Sequence, residues 1–175
     1  MPPLFWLTGP PGAGKTTIAQ RLLARFEFGF HIPVDEIRTW VLSGLHESIN
    51  WTDETTRQFS LAEESACHLA RTYHRAGFAV VIDHCRNLAR IDEVIAEHLS
   101  DCDVSRICLL PSLETNLRRN AERTTKTFDP EVLNPIICGM NPSMSGLATG
   151  SWSVVDTSMD TEEETVDRIL NVRFF

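Results

Sequence analysis

The sequence is short of lysine: only Lys15 and Lys126 occur, and nearly all of its positive charge is arginine. With a formal net charge of −8 over 175 residues, it lacks the basic surface that broad, sequence-independent nucleic-acid binding needs. A small basic groove is still compatible with this balance, and Arg118, Arg119 and Arg123 form the tightest cationic cluster. No Cys-x-x-Cys pair is present, and the cysteines (Cys67, Cys85, Cys102, Cys108, Cys138) are odd in number. Neither a disulfide framework nor a zinc site is indicated, and a reducing cytoplasm is the expected location. The histidines show no metal-ligand spacing. Leu4–Leu7 is too short an apolar run for a signal peptide and has no basic segment before it. No stretch is long enough to span a bilayer, so no membrane partner is expected. Repeats, low-complexity tracts and linkers are missing too, and residues 1–175 read as one domain able to bury a core. Oligomeric state is not legible.

What is present is an alternation of apolar runs with helix-period segments, the pattern of an α/β fold with a mainly parallel sheet. Strands are predicted at Leu4–Leu7, Phe28–Val34, Phe78–Ile82, Val104–Leu110 and Trp152–Asp156. Helices are predicted at Thr16–Phe26, Asp53–Ala76, about Leu88–Leu99 and Leu113–Arg123. Thr52 is the expected N-cap of the longest helix and Gly77 its stop. Thr161 and Glu164 form a capping box for a last helix. Residues 124–150, rich in Pro, Asn, Gly and Ser, read as an irregular lid that closes over ligand. Within it Asp129-Pro130 and Asn134-Pro135 each look like a helix start.

The segment Gly9-Pro10-Pro11-Gly12-Ala13-Gly14-Lys15-Thr16, followed by Thr17, has the P-loop spacing between an apolar strand and an amphipathic helix. Glycines let the backbone curl so that successive N–H groups face phosphate oxygens. Lys15 would neutralise the β- and γ-phosphates, and the Thr16 hydroxyl would ligate Mg²⁺. The following helix adds the positive end of its dipole.

Two further carboxylates are expected at carboxyl ends of strands, where open α/β sheets bind ligands. Asp35 opens Asp35-Glu36-Ile37-Arg38, in which one helical turn brings carboxylate and guanidinium to one side. Such an aspartate can take the proton of a substrate hydroxyl, and such an arginine can hold an anionic substrate group. The bland alternative is an N-capping Asp beside a solvated Arg. Asp83 closes the strand Val80-Val81-Ile82-Asp83, as suits a residue near magnesium. His84, Cys85 and Arg86 follow it towards the substrate side, without an assigned role. Arg119 and Arg123 lie one turn apart and face one way; one guanidinium can stack on adenine while the other stabilises the transferring phosphoryl group.

With these residues the sequence resembles the small P-loop kinases of the nucleoside-kinase-like group. That group includes gluconate kinase, adenylylsulfate kinase, chloramphenicol phosphotransferase and the kinase module of phage-type polynucleotide 5′-kinase. The resemblance covers essentially the whole chain and includes a final strand region Ser153-Val154-Val155-Asp156-Thr157-Ser158. It implies a three-layer P-loop NTPase fold whose five-stranded parallel sheet has the P-loop strand in the middle, beside the strand ending at Asp83. It also implies phosphoryl transfer from ATP·Mg²⁺ to a hydroxyl, with Asp35 as base. By the same resemblance Arg119 and the neighbourhood of Thr157 flank adenine, and Arg123 approaches the phosphates. No Asn-Lys-x-Asp segment appears, which in such families favours ATP over GTP. Asp83-His84-Cys85-Arg86 matches no acceptor-reading motif, and the lid lacks zinc-binding cysteines. Three readings stay open: a small-molecule kinase, a polynucleotide 5′-hydroxyl kinase, and a nucleotide-binding regulatory module without transfer activity. The acidic balance favours the first over the second, and the joint presence of Lys15 and Asp35 speaks against the third.

Overall fold

A computed structural model describes residues 1–122, 129–146 and 151–173. Its centre is β1 (Leu4–Thr8), a strand buried on both faces. Strand side chains alternate between faces, so β1 sends Leu4 and Trp6 into one apolar cluster and Phe5 and Leu7 into the other. Beside it run β2 (Gly29–Pro33), β3 (Ala79–Asp83), β4 (Val104–Leu109) and β5 (Trp152–Val155), all parallel, in the order β2-β3-β1-β4-β5. The expected sheet is thus present, with β1 in the middle and its neighbour β3 ending at Asp83.

Helix α1 (Lys15–Leu23) covers one face with Ile18, Ala19, Leu22 and Leu23. It is joined there by α7 (Glu162–Arg173) through Val166 and Ile169. The other face is covered by α3 (Asp53–Arg75) and α4 (Leu88–His98). Thr52 caps α3 through the backbone N–H of Thr55, and Gly77, at φ +93°, ends the turn that stops it. The capping box at α7 is also present: Glu164 accepts from the Thr161 N–H while Thr161 accepts from the Glu164 N–H.

Two expectations need correction. Strand β2 stops at Pro33, and Asp35 lies beyond it in the first turn of a short helix, α2 (Val34–Arg38). The N-cap is Pro33, so Asp35 is not a cap. The region read as irregular is largely helical where described. After α5 (Leu113–Ala121) come a 3-10 turn, Pro130–Leu133, and then α6 (Asn134–Gly146). Both Pro-marked starts are used, with Asp129 capping the first. Burial of Ile137 and Met144 outweighs the Pro, Gly and Ser content that suggested a loop. The expected α5 end at Arg123 and the stretches 123–128 and 147–150 lie outside the described residues.

Candidate active site

Between β1 and α1 the backbone turns back on itself around glycines that nothing larger can replace. A Cβ on Gly9 would sit 2.3 Å from the Leu109 carbonyl oxygen, and one on Gly12, at φ +82°, would sit 2.9 Å from Asn116 Nδ2. Asn116, buried on α5, donates to the Pro11 carbonyl at 2.5 Å and so fixes the loop from behind. Lys15 Nζ donates to the carbonyls of Gly9 and Pro10 at 3.0 and 3.1 Å, which folds the ammonium over the cradle. This donor-rich concavity at a helix N-terminus fits a polyphosphate.

At its far side Thr16 Oγ1 donates to Asp83 Oδ2 at 2.8 Å, and His31 Nε2 lies 3.4 Å from the same oxygen. Hydroxyl and carboxylate are hard oxygen donors of the kind magnesium takes. Beside α1 opens a cavity of about 220 Å³, lined by Ala13, Gly14, Thr17, Ile18, Arg119 and Thr157. Arg119 donates to the Thr157 hydroxyl at 3.1 Å and to its carbonyl at 2.6 Å. The two residues expected around adenine are therefore in contact. Arg123, expected with them, lies outside the described residues.

A second cluster forms where α2, α3 and the residues after β3 meet. Helix α2 puts Asp35 and Arg38 one turn apart; the Asp35 side chain is 60% exposed, whereas Arg38 is buried. The Arg38 guanidinium lies 4.6 Å over the Phe59 ring and donates through Nη1 to the His46 carbonyl at 2.5 Å. Among the described residues its Nε has no hydrogen-bond partner. Trp51 stacks on Phe59 with centroids 5.0 Å apart, and the Arg86 guanidinium lies 4.7 Å over Trp51.

Beneath them sits Glu63, a carboxylate among the apolar buried positions of α3. Its Oε1 lies 3.2 Å from His84 Nε2 and 3.3 Å from Arg86 Nε. Its Oε2 accepts from Arg90 Nε and Nη2 at 3.0 and 2.9 Å. His84 Nδ1 lies 3.5 Å from Asp35 Oδ1. Burial works against the charged form of both groups, but each is outweighed. Asp35 and Glu63 raise the His84 pKa, and His84 with Arg90 lowers that of Glu63. The two carboxylates therefore favour the imidazolium form of His84.

Glu63, Phe59, Trp51, Asn116 and His31 were missed as site residues. A signal for Glu63 was present: it interrupts the buried stripe Phe59, Ala62, Ala66 with a charge. Asn116 gave none, because a polar residue on a helix reads as surface. The cysteines are unbridged, and burial pushes the Cys67 thiol up to about 12 and that of Cys108 up to about 11. Among the described residues no helix is long and apolar enough to cross a membrane.

Residues 4–135 match the protein family described as "AAA domain". Over 81 residues the chain is 32% identical to an adenylyl-sulfate kinase of Myxococcus xanthus, an alignment covering 45% of this chain and 40% of that protein. The chain thus spans well under two thirds of that curated relative. A sugar kinase structure from Janibacter sp. superposes with a TM-score of 0.71 at 19% identity, over 98% of this chain and 94% of the other. A shikimate kinase from Bacteroides thetaiotaomicron gives 0.66 at 16% identity, over 99% of each chain. The Mycobacterium tuberculosis APS kinase in complex with AMPPNP and APS gives 0.64 at 14%, over 99% of this chain and 98% of that one. At these identities the likeness is one of fold.

Proposed function

The chain belongs to the AAA domain family, and we propose that it is a P-loop kinase that moves the γ-phosphoryl group of ATP to a hydroxyl of a small-molecule acceptor. One observation carries this reading: the P-loop and the proposed base both meet the residues that end β3. Thr16 bonds to Asp83, and His84, the residue after it, reaches Asp35. A carboxylate so placed would let an acceptor hydroxyl be oriented towards a γ-phosphate in the cradle.

In this reading Gly9 to Thr17, with Lys15, hold the triphosphate, and Arg119 and Thr157 flank adenine. Thr16 and Asp83 would hold Mg²⁺, which when bound offsets charge on the β- and γ-oxygens. Asp35 takes the proton of the acceptor hydroxyl. Arg38 and Arg86 face an anionic or flat part of the acceptor, as guanidinium groups over the Phe59–Trp51 pair suit. Arg123 is assigned to the phosphates, and residues 124–150 to a lid of this single domain. The small-molecule acceptors named for its relatives support the acceptor class. Free cysteines suit the cytoplasm.

Acceptor-dependent ADP release, measured across sugars, hydroxy acids, nucleosides and 5′-hydroxyl oligonucleotides, tests the proposal. Release with one small-molecule class is the expected result. Release with oligonucleotides alone would replace it by the polynucleotide kinase reading, and none with any acceptor would favour a regulatory module. Asp35→Asn should then lower kcat by about 10²–10⁴-fold while leaving ATP affinity intact. Near-wild-type turnover would remove Asp35 from the role of base.

A further inference from the structure

Arg86 follows the end of β3, and its backbone is pinned beside the phosphate loop. Its carbonyl accepts from the Thr8 hydroxyl at 3.0 Å, and Thr8 is the last residue of β1 before Gly9. The Arg86 side chain, 17% exposed, reaches over the aromatic pair. Its guanidinium carbon lies 4.7 Å from the Trp51 centroid and 5.6 Å from that of Phe59. Trp51 is fixed by its indole N–H, which donates to the Thr56 hydroxyl at 2.7 Å, yet the residue stays exposed. Gln58 ties the loop before it to α3, donating to the Gly44 carbonyl at 2.7 Å and accepting from the His46 N–H at 3.1 Å. The platform is therefore built before any ligand arrives.

The charge of Arg86 is poorly matched. Glu63 is its ion-pair partner, but Oε2 of that carboxylate takes two N–H groups of Arg90. Oε1 lies 3.2 Å from His84 Nε2 as well as 3.3 Å from Arg86 Nε. Among the described residues the buried Nε of Arg86 makes no hydrogen bond, and neither does that of Arg38. The Arg38 guanidinium carbon is 4.6 Å from the Phe59 centroid, so two guanidinium groups stand around one ring. Like charges held this close and partly out of water repel, and a bound anion offsets both.

We propose that Arg86, carried over Trp51, is a specificity residue that binds a carboxylate of the acceptor, with Arg38 as the second cation, so that the acceptor is a hydroxy acid. This rests on the reading of the chain as a kinase of a small-molecule acceptor. A guanidinium can donate two parallel N–H bonds to a planar carboxylate, a match that a neutral amide or hydroxyl does not give. One negative charge fits better than two, because Asp35 and Glu63 already stand in the cluster and would repel a phosphate dianion. The indole adds an apolar wall for the carbons next to the carboxylate. The bond from Thr8 ties the subsite to the start of the phosphate loop, as an acceptor that must meet a phosphoryl group there requires.

The first test needs no turnover. The full chain with Mg²⁺ and AMPPNP is titrated with acetate and benzoate, and with their amides, at constant ionic strength. The Arg86 Nε–H and Trp51 Nε1–H resonances are followed by NMR. The carboxylates should shift both resonances saturably and the amides neither, and Arg86→Gln should abolish the Trp51 shift. If Arg86→Gln fails to fold, Trp51→Leu, at an exposed position, takes its place and should weaken the response of Arg86. Silence with both carboxylates, equal shifts with the amides, or a Trp51 shift that survives Arg86→Gln overturns the proposal. Tighter binding of inorganic sulfate than of either carboxylate would overturn the carboxylate assignment. In the acceptor panel a hydroxy acid should then be turned over, and its carboxamide should be poorer by about 10²-fold in kcat/KM. Arg86→Gln should cost the acid about the same factor and the amide little, with KM for ATP within about twofold. Equal losses for acid and amide would mean that Arg86 serves only the fold, and would overturn the proposal. Turnover of neutral acceptors alone would remove the subsite and keep the kinase reading. Carboxylate binding without turnover of any acceptor would keep the anion site and remove the kinase reading.

Discussion

Among the described residues Lys15 is the only lysine, and its ammonium is already bound to two loop carbonyls. A triphosphate offers that ammonium charged oxygens, and bonds of this kind are about twice as strong as those to neutral carbonyls. Lys15→Ala should therefore weaken ATP·Mg²⁺ binding severely, by at least tenfold in a calorimetric titration; equal affinity would remove Lys15 from the site. Asp83→Asn keeps the hydrogen bond to Thr16 possible but removes the charge. It should shift the Mg²⁺ concentration for half-maximal nucleotide binding upward, whereas an unchanged magnesium dependence would exclude Asp83 as a ligand. The placement of both residues was legible in the sequence because it follows from local context: a glycine-rich turn in one case, an apolar strand closing on an acid in the other. The pairing of Glu63 with His84 was not legible, since it is a contact 21 residues apart that only packing creates.

At the level of elements, the sheet was readable because its central strands β1 and β3 are buried on both faces and so run as continuous apolar segments. Helix α6 was not. Pro142 lies within it, and its composition is that of a loop. What makes it helical is tertiary: Ile137 and Met144 reach the core, and buried asparagines tie it to its neighbours. Asn141 donates to the Pro111 carbonyl at 2.8 Å, and Asn120 donates to the Pro130 carbonyl at 2.6 Å. Asn116 closes the series on the P-loop itself. Helices α5 and α6 and the phosphate loop therefore share one polar clasp. Asn116→Ala leaves a buried carbonyl without its donor, which costs roughly 1–3 kcal/mol. For a chain of this size each kcal/mol lowers Tm by about 2–4 °C. The variant should melt lower and bind ATP more weakly; a lower Tm with unchanged ATP affinity would mean that the clasp supports the fold alone.

Over the whole molecule the buried network makes stability depend on pH in both directions. The Glu63 pKa is lowered in the fold, so its contribution is present above the unfolded carboxylate value, near 4.3, and is lost as pH falls through the folded value. The His84 pKa is raised, so its contribution is complete below the unfolded imidazole value, near 6.5, and is lost as pH rises through the folded one. Both contributions are complete only between about pH 4.5 and 6.5, and this window contains the sequence pI of about 5.2. There the net charge of −8 at pH 7 has fallen towards zero, which also relieves self-repulsion in the compact state. Tm should thus rise from pH 8 towards pH 6 and fall again below about pH 4. His84→Asn cannot titrate and should flatten the rise between pH 8 and 6 while leaving the acid fall in place, because Glu63 keeps Arg86 and Arg90. The measurement is Tm against pH at constant ionic strength for the wild type and this variant. If both curves rise equally from pH 8 to 6, net charge rather than the imidazolium sets the slope, and His84 is not charged in the folded chain at neutral pH.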